Sequence, residues 1–536
     1  MQLSSLRTRL GRAAVGGLAV ACISLLLAVA PSAVAVAGDK TRSRAERALR
    51  EGEYAAAEQL FREVLAKNPR DQVARLGLSY TLLKMRRLAD AFDQAAAVIA
   101  IDPVSARAHA IAGSALLASG DFPHAVEAYR TALSIKEDEA LAIAGLAMID
   151  YYENRLLASL SGLRRAVFID PRESDYIFSL AQAAARAERY KEAADAYERF
   201  LQVAPRTDED RRARIRGLID FLRYLGGLKS LYDINGATAT TVAFEMPNNR
   251  PILKVRVNGR KEPLRFVLDT GSGMSVISDE TARLLGVDAV ARGGMARAVG
   301  GKFEIVYGFL RSVEIGDAKV ENVPVYIRRF YNDEVQVDGY IGLAVVNRYL
   351  VTVDYGARTF SLARPGSAAA ALAADSAKRP APLAGIEIPF RSTSSGFLSG
   401  EVQVEGVSRP FNFIIDTGAS ISVVSQKMME LDEMHDFKHP RRMKIYGAAG
   451  IAEGVQTLVL PRVLLGAQAR EKLDVAVLDL EPVNETTGFV QSGIIGGNFL
   501  RHFRVTFDFR KSVILLEPLE ASASSAEGGT AAAAKS

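Results

Sequence analysis

The sequence predicts a multidomain chain in which an all-α helical-repeat solenoid precedes two all-β domains that copy one another. Three observations carry this expectation. Proline stops recur through the first half at one interval: Pro69 to Pro103 is 34 residues (103 − 69), Pro171 to Pro205 is 34 (205 − 171), and Pro103 to Pro171 is 68, twice that (171 − 103). From about Thr238 the texture changes to short runs of Val, Ile, Phe and Thr broken by Gly, Asn and Asp, the pattern of strands and their turns. The segment FVLDTGSGMSVIS at 266–278 then returns as FIIDTGASISVVS at 413–425, an interval of 147 residues (416 − 269).

With 536 residues the chain exceeds what one hydrophobic core supports, and 49% hydrophobic with 24% charged residues is the composition of folded protein. Residues 1–37 place Arg7, Arg9 and Arg12 before an apolar run from Ala13 to Ala30, followed by Pro31 and Ala35-Val36-Ala37. That is the order of a secretory signal peptide with an A-x-A cleavage site. An uncleaved anchor is the alternative, because the run approaches the ~18–20 apolar residues that span a bilayer. Cys22 is the only cysteine, and Ala19 stands where a lipobox wants Leu. Cleavage removes three Arg and no acid, leaving 64 basic residues (67 − 3) against 62 acidic. So balanced a chain offers no broad basic surface, and no nucleic-acid partner is expected. The mature chain has no cysteine for a disulfide, so its cores must carry stability. With an alanine-rich, bacterial-looking composition, the expectation is a periplasmic or secreted protein with no membrane span in the mature chain.

Residues 38–227 form the repeat array. Counting back twelve from each stop, with 137 as the unmarked one, gives Ala57, Ala91, Ala125, Ser159 and Ala193, small residues where two helices approach closely. Counting back eight gives Phe61, Ala95, Tyr129, Leu163 and Tyr197, largely bulky fillers. This pattern, with Gly113 in the third block, resembles the tetratricopeptide repeat over residues ~40–205. The resemblance implies a concave groove for a protein partner; a rigid spacer, or a cover for the second half, is the alternative. The Arg-rich segment from Arg206 to Leu225 resumes apolar spacing at Ile215, Leu218, Ile219 and Leu222, which suits a capping helix with a solvated outer face.

The β-rich half is a duplication, with domains expected at 242–364 and 386–517. Ten residues before each repeated Asp stands a glycine (Gly259, Gly406), six before a proline (Pro263, Pro410) and three before a phenylalanine (Phe266, Phe413). Six after comes Ser275 or Ser422, and thirty-one after comes Gly300 or Gly447. Tyr340-Ile341-Gly342 answers to Ile494-Ile495-Gly496, and Val351-Thr352-Val353-Asp354 to Val505-Thr506-Phe507-Asp508. The Ala-, Ser- and Pro-rich stretch 365–385 reads as a linker and 518–536 as a disordered tail.

An apolar strand ending in Asp-Thr-Gly-Ser or Asp-Thr-Gly-Ala, a later glycine-bearing hairpin, then two apolar residues and Gly, resembles the retropepsin-like aspartic proteases, a group that joins retroviral proteases and pepsin lobes. The resemblance implies one closed barrel per copy, two barrels meeting at a pseudo-twofold axis, and a water-activating dyad of Asp269 and Asp416 sharing a proton. It gives Gly271 and Gly418 a tight turn beside the opposing carboxylate, and it sets Thr270 and Thr417 hydrogen-bonding across the axis. Ser272 opposes Ala419, and its hydroxyl is expected to donate to Asp269, favouring the ionised form. Gly300, Gly301, Gly447 and Gly450 are the flap candidates; Tyr446, beside them, is a candidate aromatic to reach over the dyad, with a core tyrosine as the first reading. The first copy departs from the retroviral pattern at Leu343-Ala344. The function implied is an aspartic endopeptidase acting on a protein or peptide substrate without cofactor or metal, as monomer or homodimer. The rival is a non-catalytic peptide-binding scaffold using the same cleft. His435 and His439 have the spacing of a helical metal pair but no accompanying glutamate motif, so no metal site is expected.

Overall fold

The computed structural model describes residues 33–298, 300–331, 335–367 and 386–519. The expected signal peptide up to residue 32, most of the 365–385 stretch and the tail from 520 lie outside the described residues. The chain divides into two compact units, one mainly of residues before Arg212 and one mainly of residues from Ala213 onward.

Helical hairpins build the first unit. The second helix of each repeat begins at Tyr54, Leu88, Phe122, Leu156 and Tyr190 and ends at Lys67, Ile101, Ile135, Ile169 and Val203. Each therefore stops two residues before the 34-residue mark, and at four of the five marks a proline stands that cannot continue the ladder. The small-residue positions Ala57, Ala91, Ala125, Ser159 and Ala193 are fully buried, and Phe61, Tyr129 and Leu163 fill the space beside them. Tyr129 lies so close to Gly113 and Gly145 that a Cβ on either would meet its ring at 2.9 and 2.0 Å. Further along the solenoid, Lys84 reaches Glu173 (3.0 Å) and Asp175 (2.6 Å), and the Tyr80 hydroxyl donates to Glu173 (2.8 Å). Residues some ninety positions apart thus meet within the array.

The second unit holds two barrels. In the first, strand Leu264–Leu268 pairs in parallel with Gly339–Ile341, Ser275–Ser278 pairs in parallel with Ala318–Arg328, and Gly301–Ile315 closes the ring by pairing with both Ile252–Val257 and Ala318–Arg328. The second repeats this with Phe411–Ile415 on Gly493–Ile495, Ser422–Ser425 on Gln468–Leu478, and Gly450–Leu465 bridging Leu398–Val404 to Gln468–Leu478. Ser278 caps the helix Asp279–Leu285 by accepting from Thr281 N (2.9 Å), and Ser425 accepts from Met428 N (3.1 Å) at the matching corner.

A further layer joins the copies. Ala239–Ala243, Thr359–Ala363, Leu350–Asp354, Phe503–Asp508, Val513–Pro518 and Ile386–Ser392 lie side by side in one antiparallel sheet. At its centre Thr352 opposes Thr506, with Val351 on Phe507 and Val353 on Val505, and the two threonine hydroxyls hydrogen-bond at 3.0 Å. Equivalent residues of two copies facing each other antiparallel define a twofold axis between them.

The segment Arg206–Leu225 has an exposed face at Arg211, Arg216, Asp220 and Arg223 and a buried edge at Ile215, Ile219, Leu222 and Leu225. Helix Glu209–Gly226 enters the second unit at Ala213, Phe221 stacks on Tyr307 with centroids 4.1 Å apart, and Phe221 and Leu225 belong to the barrel core. Among the described residues no helix is long and apolar enough to cross a membrane, and no cluster of three or more His, Cys, Asp or Glu is disposed to hold a metal ion.

Candidate active site

Both Asp-Thr-Gly segments leave a buried strand and turn at the axis. The Asp269 amide donates to the Ile341 carbonyl (3.0 Å) and the Asp416 amide to the Ile495 carbonyl (2.9 Å), so each Asp is anchored to its own copy's apolar-apolar-Gly strand. The serine six residues on completes the loop: Gly342 N donates to Ser275 Oγ and Gly496 N to Ser422 Oγ, both at 3.0 Å. The repeated serines were visible in the sequence; their glycine partners were not, because the bond spans 67 residues in one copy and 74 in the other. In the second copy Asn498 Oδ1 also accepts from Ser422 Oγ (2.7 Å), a bond that Ala344 cannot supply in the first.

The two loops lock together. Thr270 Oγ1 donates to the Ile415 carbonyl (2.8 Å) and accepts from Thr417 N (3.0 Å), while Thr417 Oγ1 donates to the Leu268 carbonyl (2.7 Å) and accepts from Thr270 N (3.2 Å). Both threonines are buried, so four bonds replace every water contact they lose. A Cβ on Gly271 would stand 2.4 Å from the Asp416 carboxyl, and one on Gly418 would stand 2.8 Å from Asp269 Oδ1. Only a glycine fits at either place.

Asp269 and Asp416 hydrogen-bond to each other, yet their surroundings differ. Burial, then the neighbouring Asp416 charge, pushes Asp269 well above the usual carboxylate range, opposed by Arg328 and the Gly271 amide. Burial also raises Asp416, but the amides of Gly418 (2.7 Å) and Ala419 (3.2 Å) both donate to its Oδ1 and favour its ionised form. The two acids titrate as a pair, with the Gly418 and Ala419 amides favouring the ionised form of Asp416. Ser272 does not enter this balance as expected: its hydroxyl donates to the Met274 carbonyl at 2.6 Å. One proton on one oxygen serves one acceptor, and the turn takes it.

Two hairpins extend beyond the barrels. Ala291–Ala298 pairs with Gly301–Ile315, and Lys438–Gly447 with Gly450–Leu465. Their tips meet: a Cβ on Gly300, whose φ is +96°, would lie 2.3 Å from the Gly450 carbonyl carbon. Gly301 and Gly447 sit at the adjoining strand ends. Tyr446 is 41% exposed, not a core residue, because it lies at the hairpin's tip, past the end of the barrel core. The Arg328 guanidinium donates to the Ala448 carbonyl in the tip of the second hairpin. A cavity of about 650 Å³ opens beside the tips, lined by Gly300, Ala452, Val455, Val477 and Leu478 among others. The site residues Asp269 and Asp416 are not part of its wall. His435 and His439 lie in separate elements, a 3-10 turn and the strand after it.

Residues 253–345 match the aspartyl protease family model and residues 400–502 the gag-polyprotein aspartyl protease model, while residues 48–114 and 145–209 match tetratricopeptide repeat models. Comparison with curated proteins returns no match. Among solved structures, the aspartic proteinase from Irpex lacteus is 14% identical, with 53% of this chain and 98% of that one covered at a TM-score of 0.36. A thermophilic tetratricopeptide repeat protein from Thermus thermophilus is 20% identical, with 34% of this chain and 98% of that one covered at a TM-score of 0.30. The family models, rather than these distant likenesses, carry the assignment of each half.

Proposed function

We propose that this chain, which carries tetratricopeptide repeats ahead of two retropepsin-like aspartyl protease domains, is an exported aspartic endopeptidase working through Asp269 and Asp416. The observation that carries the reading is the mutually hydrogen-bonded carboxyl pair held by the Thr270–Thr417 exchange. Such a pair keeps one proton between two acids at pH values where isolated carboxyls have lost both.

In this reading Asp416, supported by the Gly418 and Ala419 amides, takes a proton from water as the water oxygen attacks the peptide carbonyl carbon. Asp269 gives its proton to the carbonyl oxygen, and a gem-diol forms. Breakdown returns one hydroxyl proton to Asp269 while the leaving nitrogen takes the proton held by Asp416, so both acids regain their starting states. Thr270, Gly271, Thr417, Gly418 and Ala419 position the pair, and the glycine-tipped hairpins cover the substrate and exclude water. The order of Arg7, Arg9 and Arg12, an apolar run and an A-x-A site in residues 1–37 supports export, and the repeats supply a surface for a protein partner or for substrate recruitment.

The test is hydrolysis of an unbiased peptide mixture by residues 38–536 from about pH 4 to 7.5, a window that crosses the ionisation of a shared-proton pair. Asp269→Asn and Asp416→Asn are assayed alongside. Cleavage that weakens toward neutral pH and is lost in both variants supports the reading. Cleavage indifferent to both variants, or none at all, would leave the cleft a peptide-binding scaffold.

A further inference from the structure

The two barrels repeat each other in backbone but not in the chemistry beside the dyad. Strand Ser275–Ser278 pairs with Val325, Tyr326, Ile327 and Arg328; strand Ser422–Ser425 pairs with Val475, Ala476, Val477 and Leu478. Arg328 and Leu478 are therefore equivalent positions. The next strand repeats the contrast, with Tyr340 in the first copy where Ile494 stands in the second.

Arg328 has an unusual setting. Its guanidinium lies 5.8 Å from the Phe303 ring centroid, 5.5 Å from that of Phe330 and 5.9 Å from that of Tyr340. Phe303 belongs to the first hairpin, Tyr340 to the strand that anchors Asp269, and the Ala448 carbonyl that accepts from Arg328 to the second hairpin's tip. The charge thus lies between the dyad and the hairpins above it, within electrostatic range of Asp269. Among the described residues no carboxylate forms a salt bridge with it, and burial, outweighing the pull of Tyr340 and Asp269, makes the cation easier to deprotonate than an ordinary arginine. A half-buried guanidinium among aromatic faces, with a carbonyl as its hydrogen-bond acceptor among the described residues, retains donors for an incoming anion.

The second copy presents no such charge. Leu478 packs in an aliphatic cluster with Val423 and Val455, bordered by Ile421 and Ile494, and it lines the cavity beside the hairpin tips. The charged residues of that cavity are already engaged: Arg442 donates to the Gly454 carbonyl (2.8 Å), Glu453 pairs with Lys444 (3.0 Å) and Asp479 accepts from Glu481 N (2.9 Å).

Resting on the endopeptidase reading, we infer that the cleft is directional: the Arg328 side accepts a substrate Asp or Glu side chain next to the scissile bond, and the Leu478 side accepts an aliphatic one. The acidic side chain replaces the Ala448 carbonyl as acceptor and forms a charge-assisted pair where water is scarce. Because a twofold cleft places its halves on opposite sides of the bond, the preference appears on one side only.

Cleavage sites mapped by mass spectrometry in the unbiased mixture test this first. Enrichment of Asp and Glu on one side of the cut and of Leu, Ile or Val on the other is expected. Matched peptides differing only in Glu or Gln at that position then give a kcat/KM ratio, expected at about 10-fold or more in favour of Glu, since a site built for a charged partner rejects its neutral analogue. Arg328→Leu brings the ratio to about one, and Arg328→Lys retains part of it. An arginine that only braces the second hairpin would lower both rates together and leave the ratio unchanged, which would overturn the inference, as would cleavage with no acidic preference. Should the wild type cleave nothing, binding of the same pair by fluorescence anisotropy decides: a Glu preference lost in Arg328→Leu keeps the subsite and discards hydrolysis, and equal binding discards the subsite.

Discussion

Asp269 and Asp416 end nearly identical segments, yet only the folded loops separate their roles. The sequence shows the pair and the residues around it, because the Asp-Thr-Gly context is local and was written twice. It hides how the surroundings of the two acids differ, because that depends on where the hydroxyl of Ser272 turns and on which amides face Asp416. Two outcomes follow at this scale. The raised Asp269 means that the folded state binds a proton more tightly than the unfolded chain, whose carboxyls titrate near about 3.9. Stability is therefore lost as pH rises through that raised value. Asp269→Asn, which never ionises, should melt at a higher temperature than wild type at pH 7, the gap closing as pH falls toward about 4. Calorimetry of the protease unit's transition at both pH values checks this, and an equal gap at both would count against the shared-proton assignment. Ser272→Ala, in turn, should leave the acid limb of the rate profile in place, since the hydroxyl serves Met274; a displaced limb would mean that it reaches Asp269 during turnover.

Elements were legible where their spacing is periodic. The 34-residue interval placed every second helix of the array, because a stop and a small buried residue at fixed offsets suffice to define a helix-on-helix contact. It missed Gly145, whose requirement comes from Tyr129 of the neighbouring hairpin rather than from its own repeat. Gly145→Ala puts a methyl into that ring and should cost about 1–3 kcal/mol, read from denaturant unfolding of the helical signal. The hairpins were located by a glycine thirty-one residues after each Asp, but nothing in the sequence said that their tips touch. That contact makes a direct demand. Gly300→Ala combines a left-handed φ of +96° with a Cβ 2.3 Å from Gly450, so the tips must part. A displaced cover should lower kcat/KM on the order of 10-fold or more, with KM rising. Unchanged kinetics would show that the tips close without meeting.

For the molecule as a whole, duplication was plain in the sequence while the mode of pairing was not, because one Asp-bearing barrel needs a second from either its own chain or another. In this structure the two copies meet in a sheet to which each contributes three adjacent strands. Leu350–Asp354 of the first copy hydrogen-bonds along its length to Phe503–Asp508 of the second, and each carries its own copy's hairpin partner outward, Thr359–Ala363 on one side and Val513–Pro518 on the other. The Val-Thr-Val-Asp and Val-Thr-Phe-Asp echo is thus the seam itself, with Thr352 and Thr506 at its centre. A seam of backbone bonds backed by the buried side chains of Val351, Val353, Val505 and Phe507 should hold without covalent continuity between the barrels. A specific protease site inserted after residue 375 and then cut should therefore give fragments that co-elute in size exclusion and retain peptide cleavage. Rate should also rise in proportion to enzyme concentration, since each chain contains both acids. Fragments that separate on cutting, or a rate rising with the square of concentration, would mean instead that the working pair forms between two chains.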